Sequence, residues 1–186
     1  DFGRVQEKAR GILAKRGGGK LYSELWPFRP HCYAGDRPRN YSNDDGALRM
    51  YWTKDQIERA YQNARGLREQ IHCQPELGHY EFRTSQLISN FLLLHNIELI
   101  PLGSKTGVVG YIRGRYPGKI LALREDIDAL PIQENTGLPF ASQIGGVSHA
   151  CGHDIHTAAL MGCAQLLISQ RDCMHGSVLL IFQCAE

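Results

Sequence analysis

The chain has 186 residues, of which 42% are hydrophobic and 22% charged, and a formal net charge of +2. That balance fits a globular domain with a sizeable core and excludes a mostly disordered chain. Acidic and basic residues are well mixed, so the basic stripe of a nucleic-acid binder is missing, and no apolar run is long enough to span a membrane.

Residues 1–52 are rich in Arg, Gly, Pro and Asn, with Gly17-Gly18-Gly19 and Asp44-Asp45-Gly46 breaking any periodicity. They are expected to form a poorly ordered extension ahead of a domain at 53–186. The chain opens on Asp1-Phe2-Gly3, with neither an initiator Met nor a signal-peptide pattern, and Met50 is a candidate alternative start. Six cysteines at irregular spacing fit reduced thiols in a cytoplasmic setting better than a disulfide scaffold.

Organised sequence begins at Thr53, a candidate cap for an amphipathic helix in which Ile57, Ala60, Tyr61, Ala64, Leu67 and Ile71 recur at helical spacing and which ends near Pro75. A second helix is expected over about Thr84–His95, turning Leu87, Ile88, Phe91, Leu92 and Leu94 toward a core. Gly107–Ile112 and Lys119–Leu123 read as strands. The turn-prone link Gly114-Arg115-Tyr116-Pro117-Gly118 between them predicts an antiparallel pair. A third helix is expected from His153, with Asp154 as its cap, and Val178–Phe182 is a short apolar run suited to a buried strand. Helices alternating with buried strands make an α/β layered domain.

The chemistry collects where these elements end. His149-Ala150-Cys151-Gly152-His153-Asp154-Ile155-His156 packs a thiol, imidazoles and a carboxylate into eight residues. Thiolate and imidazole together suit zinc and its neighbours rather than magnesium or calcium. The same residues also read as a small buried cysteine among hydrogen-bonded histidines, or as a Cys151 nucleophile with His153 or His156 as its base. Asp126 and Asp128, two apart after the second strand, share a side, and Glu186 follows the third. Strand ends are where functional groups gather in α/β sheets, so a carboxylate pair, a lone Glu and a Cys/His chelate are expected to converge at one edge.

The order Ile71-His72-Cys73-Gln74-Pro75-Glu76-Leu77, Glu81, Thr84, Thr106-Gly107-Val108-Val109, Leu123-Arg124-Glu125-Asp126-Ile127-Asp128-Ala129-Leu130-Pro131, Gly137-Leu138-Pro139-Phe140, His149–His156 and Ile181-Phe182-Gln183-Cys184-Ala185-Glu186 resembles the metal-dependent amidohydrolases of the aminoacylase and carboxypeptidase superfamily, which include indole-acetyl-amino-acid hydrolases and hippurate hydrolase. The resemblance covers roughly residues 54 to 186. It implies a zinc-exopeptidase-like layered domain, with a mixed central sheet flanked by helices, present as the N-terminal portion of a truncated catalytic domain. It also implies two divalent metal ions (zinc, manganese or cobalt) and hydrolysis of N-acyl amino acids by a metal-activated water. Cys151 and His153 correspond to metal ligands and Glu186 to the general base, with Asp126, Asp128, Asp154 and His156 in support.

Cys184 stands where that family usually has Pro, and Glu125 where it has a small residue. The family continues beyond the equivalent of Glu186 with a metal-binding Glu, histidine ligands and a satellite domain used for dimerisation. A homodimer is therefore expected of a longer form, and the segment alone is expected to be inactive. The competing reading is a truncated noncatalytic fragment or pseudoenzyme with weak metal binding.

Overall fold

The computed structural model describes residues 52–186. The extension expected at 1–52, and Met50 within it, therefore lie outside the described residues except for Trp52, whose indole N–H donates to the Leu166 carbonyl at 2.8 Å. Helix α1 runs Lys54–Cys73 and opens on a capping box, Thr53 accepting from the Gln56 N–H while the Gln56 side chain accepts from the Thr53 N–H. Ala60, Leu67 and Ile71 form its buried side. Helix α2 (Phe82–Leu94) buries Ile88, Phe91 and Leu92. Leu94, expected in the core, is 81% exposed, because two residues past Leu92 is about 200° around a helix.

Among the described residues four strands form one mixed sheet: β1 (Glu98–Leu99), β2 (Val108–Arg113), β3 (Tyr116–Asp126) and β4 (His175–Gln183), in the order β1-β2-β4-β3. Helix α3 (His153–Ser169) carries the chain from β3 to β4, which run parallel, while β4 is antiparallel to β2. The antiparallel β2–β3 hairpin predicted from their short link does not form. The link bonds outward instead: Gly114 N–H donates to the Gly176 carbonyl, Arg115 N–H to Arg171 and Tyr116 N–H to Met174. This splays β2 from β3 and opens a slot for β4, whose residues Val178–Phe182 are all buried. An apolar strand with no polar face is stabilised most in the middle of a sheet, and that preference overrides the proximity of β2 and β3 in the chain.

The core lies between one face of the sheet and the helices. Val108 and Ile112 of β2 and Val178, Leu180 and Phe182 of β4 meet Ile71, Ile88, Leu92, Leu160, Met161 and Ala164 there. The sheet is thus mixed and flanked by helices, as expected. Its β3–β4 register pairs Asp126 with Gln183, so the carboxyl ends of two parallel strands leave the sheet side by side.

Candidate metal centre

Beyond Asp126 the chain stays tied to its neighbours. Ile127 N–H donates to the Gln183 carbonyl at 2.9 Å and Ala129 N–H to the Glu76 carbonyl at 2.8 Å, while Leu130 and Ser148 exchange a pair of backbone bonds at 3.0 Å. These bonds bring the loop ahead of α3 onto the ends of β3 and β4. Gly152 then turns the chain with a φ of 87°, and α3 starts at His153. Asp154, expected to cap this helix, makes no such bond. It is 1% exposed, accepting from Arg68 Nε at 3.0 Å and lying 2.8 Å from His72 Nδ1. The reason is its position inside the first turn, with the side chain directed at α1. His72 also faces Glu134 at 3.2 Å and meets the Phe140 ring edge-on.

Asp126, His153 and Glu186 each offer a ligand atom, all within 4.8 Å of one another. His153 Nε2 is 3.3 Å from Glu186 Oε2. His153 Nδ1 is 3.0 Å from the Asp128 carbonyl oxygen and 3.1 Å from Asp128 Oδ1. Both are acceptors, so a proton on Nδ1 satisfies them and would leave the Nε2 lone pair for a metal ion held in the cluster. Carboxylate oxygens and an imidazole nitrogen at this spacing suit a divalent ion of the zinc, manganese or cobalt type, so the residues present fit the metal that the sequence points to.

The other expected site residues are distributed around this cluster. Cys151 is outside the group of three, its thiol directed at the Asp128 carbonyl at 3.7 Å. Burial pushes that thiol above its ordinary range. Asp126 belongs to the cluster and accepts from Arg124 Nη2 at 2.5 Å. His156 is out on the surface, 3.6 Å from Glu125. His149 is 4% exposed, neither of its ring nitrogens has a partner, and burial holds its pKa down to about 4. Sequence reading assigned no role to Arg68, His72 or Glu134. The i, i+4 spacing of Arg68 and His72 beside Leu67 and Ile71 is the signal that could have found the first two, since it places charge at the margin of an apolar stripe.

A mixed, helix-flanked sheet thus gathers carboxylates and an imidazole at the ends of its parallel strands, the arrangement of a candidate metal centre. Residues 122–186 match the model of peptidase family M20/M25/M40. The chain is 50% identical over 121 residues to an N-acetyl-L-cysteine deacetylase of Bacillus subtilis, a match covering 65% of this chain and 29% of that protein. It is 44% identical over 121 residues to IAA-amino acid hydrolase ILR1-like 5 of Arabidopsis thaliana, covering 65% and 28%. Among solved structures, the Bacillus subtilis YXEP protein, described as a dinuclear metal binding peptidase of the M20 family, superposes with a TM-score of 0.68 at 45% identity, over 69% of this chain and 36% of that one. The chain thus spans about a third or less of the length of these relatives.

Proposed function

We propose that the chain supplies the N-terminal portion, residues 53–186, of the catalytic domain of a metal-dependent amidohydrolase that cleaves the amide bond of N-acyl amino acids. The observation that carries this is the meeting of His153 Nε2 with Glu186 Oε2 at 3.3 Å, beside Asp126, at one edge of the sheet. The acylated amino acids named in the relatives' descriptions support the substrate class. His153 and Cys151 would hold metal, with Asp126 beside them, and Asp128 fixes the ring of His153 through its Nδ1–H. When bound, two divalent ions supply Lewis acidity and acidify the hydrolytic water.

Glu186 accepts a proton from that water as its oxygen adds to the amide carbon. It returns the proton to the nitrogen as the C–N bond breaks, releasing the acid and the free amino acid. The irregular spacing of the cysteines along the sequence supports a reducing, cytoplasmic location. None of the described helices is long and apolar enough to cross a membrane.

The test is Glu186→Gln in a longer form that carries the rest of the catalytic domain, assayed on an N-acyl amino acid at equal metal content. Turnover is expected to fall by about 10²–10⁴-fold with metal retained, because the shape is kept and the proton acceptor is lost. Near-normal turnover would show that another group activates the water.

A further inference from the structure

Glu81 stands one residue ahead of α2 but does not cap it. Glu76 does that instead, its carboxylate accepting from the backbone N–H groups of Arg83 and Thr84 at 3.0 and 2.8 Å and from the Thr84 hydroxyl at 2.9 Å. Released from the helix end, the Glu81 side chain turns inward and is 0% exposed. Its Oε1 accepts the N–H of Ala185 at 2.8 Å across 104 residues of sequence, and its Oε2 has no partner. A fully buried carboxyl with a single hydrogen bond is costly to keep, and the residue it holds is the one before the proposed base.

Ala185 is itself unusual, with a φ of 49°, in the left-handed region that L-residues other than Asn and Asp seldom enter. Two contacts close on it. Glu81 grips its N–H, and Gly78 lies so close that a Cβ there would come within 3.1 Å of the Ala185 Cβ and 3.2 Å of its Cα. On the strand side, the Gln183 carbonyl is anchored by the Ile127 N–H. The dihedral angles of Ala185 set the direction in which Glu186 leaves the sheet. Relaxation of Ala185 into the ordinary right-handed or extended regions turns φ by about 100° or more and carries the Glu186 carboxylate away from His153.

We infer that Glu81 is a positioning residue, whose buried carboxyl clamps the Ala185 peptide in its left-handed conformation and thereby aims Glu186 at the reacting water. This rests on Glu186 being the base. In a longer form that carries the rest of the catalytic domain, Glu81→Ala is expected to lower kcat by about 10²-fold, the cost of a misplacement of about 1 Å, with KM and metal content unchanged. Glu81→Gln keeps a carbonyl oxygen for the Ala185 N–H and restores most of kcat. The Ala185 amide, followed by hydrogen exchange, is expected to lose protection in Glu81→Ala and to keep it in Glu81→Gln.

Unchanged kcat in Glu81→Ala overturns the inference, as does unchanged exchange at Ala185. Should Glu81→Ala fail to fold, Gly78→Ala carries the same test, since its methyl presses on Ala185 from the other side. Its kcat is expected to fall with KM held, and wild-type kcat there overturns the clamp. If a longer form carrying the rest of the catalytic domain keeps its turnover in Glu186→Gln, the assignment of Glu186 fails separately. Exchange at Ala185 then still decides whether Glu81 holds the turn.

Discussion

Replacing Asp128 by Ala is expected to weaken metal binding by only about tenfold, and the reason lies in how His153 is held. The ring Nδ1–H faces two acceptors of the same residue, the carbonyl oxygen at 3.0 Å and Oδ1 at 3.1 Å. Removing the partner that orients a ligating histidine costs about 10–100-fold in affinity. Here the substitution deletes the carboxylate and leaves the backbone carbonyl, so half of the restraint survives and the loss falls at the low end, about 1.4 kcal/mol. His153→Ala removes the ligand itself and is expected to lose far more. Zinc and manganese affinities of the full chain would be measured by competition with a chromophoric chelator, with Asp128→Asn, which keeps an acceptor oxygen, expected to stay close to wild type. Wild-type affinity in Asp128→Ala would refute the orienting role. A loss as large as that of His153→Ala would refute the sharing argument and make Asp128 a ligand.

Cys151→Ala is expected to lose more bound metal than Cys163→Ala, because Cys163 packs against the core from within α3 while Cys151 lies beside Asp128 and two residues before His153. Elemental analysis of both variants checks this, and equal retention would remove Cys151 from the site. Glu134 supplies a pH signature: hydrogen bonds from the Thr136 hydroxyl and the Ser142 N–H hold its carboxyl at about 2, below the ordinary 4.5. A depressed folded-state pKa contributes stability that is present above the unfolded value and is lost as pH falls toward 2. Glu134→Gln should therefore flatten the acid limb of a melting-temperature profile between pH 4.5 and pH 2, and parallel profiles for the two proteins would count against this account.

The helices were legible because their signals are local. Thr53 and Gln56 form a capping box from residues three apart, and the Ala60, Leu67, Ile71 spacing needs no knowledge of what it packs on. Three of the four described strands were legible for the same reason, while the two-residue β1 and the strand order were not. The short link between β2 and β3 argued for a hairpin, but the pairing is decided by the burial of β4, about 65 residues further along, and proximity in sequence carries no weight against that.

The site divides in the same way. Asp126, His153 and Glu186 could be placed together because strand ends converge by topology. That Asp154 is buried against Arg68 and His72, instead of capping α3, follows from how α1 lies against that helix. Glu81 was visible as part of a motif, yet its grip on Ala185 spans 104 residues, and no spacing rule reaches that far.

Of the four strands among the described residues, β4, which lies between β2 and β3, is the last to be synthesised. Asp126 closes β3 and Gln183 closes β4, 57 residues later, which is roughly 3 to 11 s of translation at about 5–20 residues per second. Throughout that interval β2 and β3 exist without the strand that joins them, so a nascent chain carries two open edges lined with Val, Ile and Leu. Helix α3 emerges in the meantime and can dock on α1, as the close approach of Gly162 to Ala60 and Ala64 allows, but it cannot close the sheet. Ribosome stalling between Asp126 and His175 is therefore the moment at which association between nascent chains competes most strongly with folding.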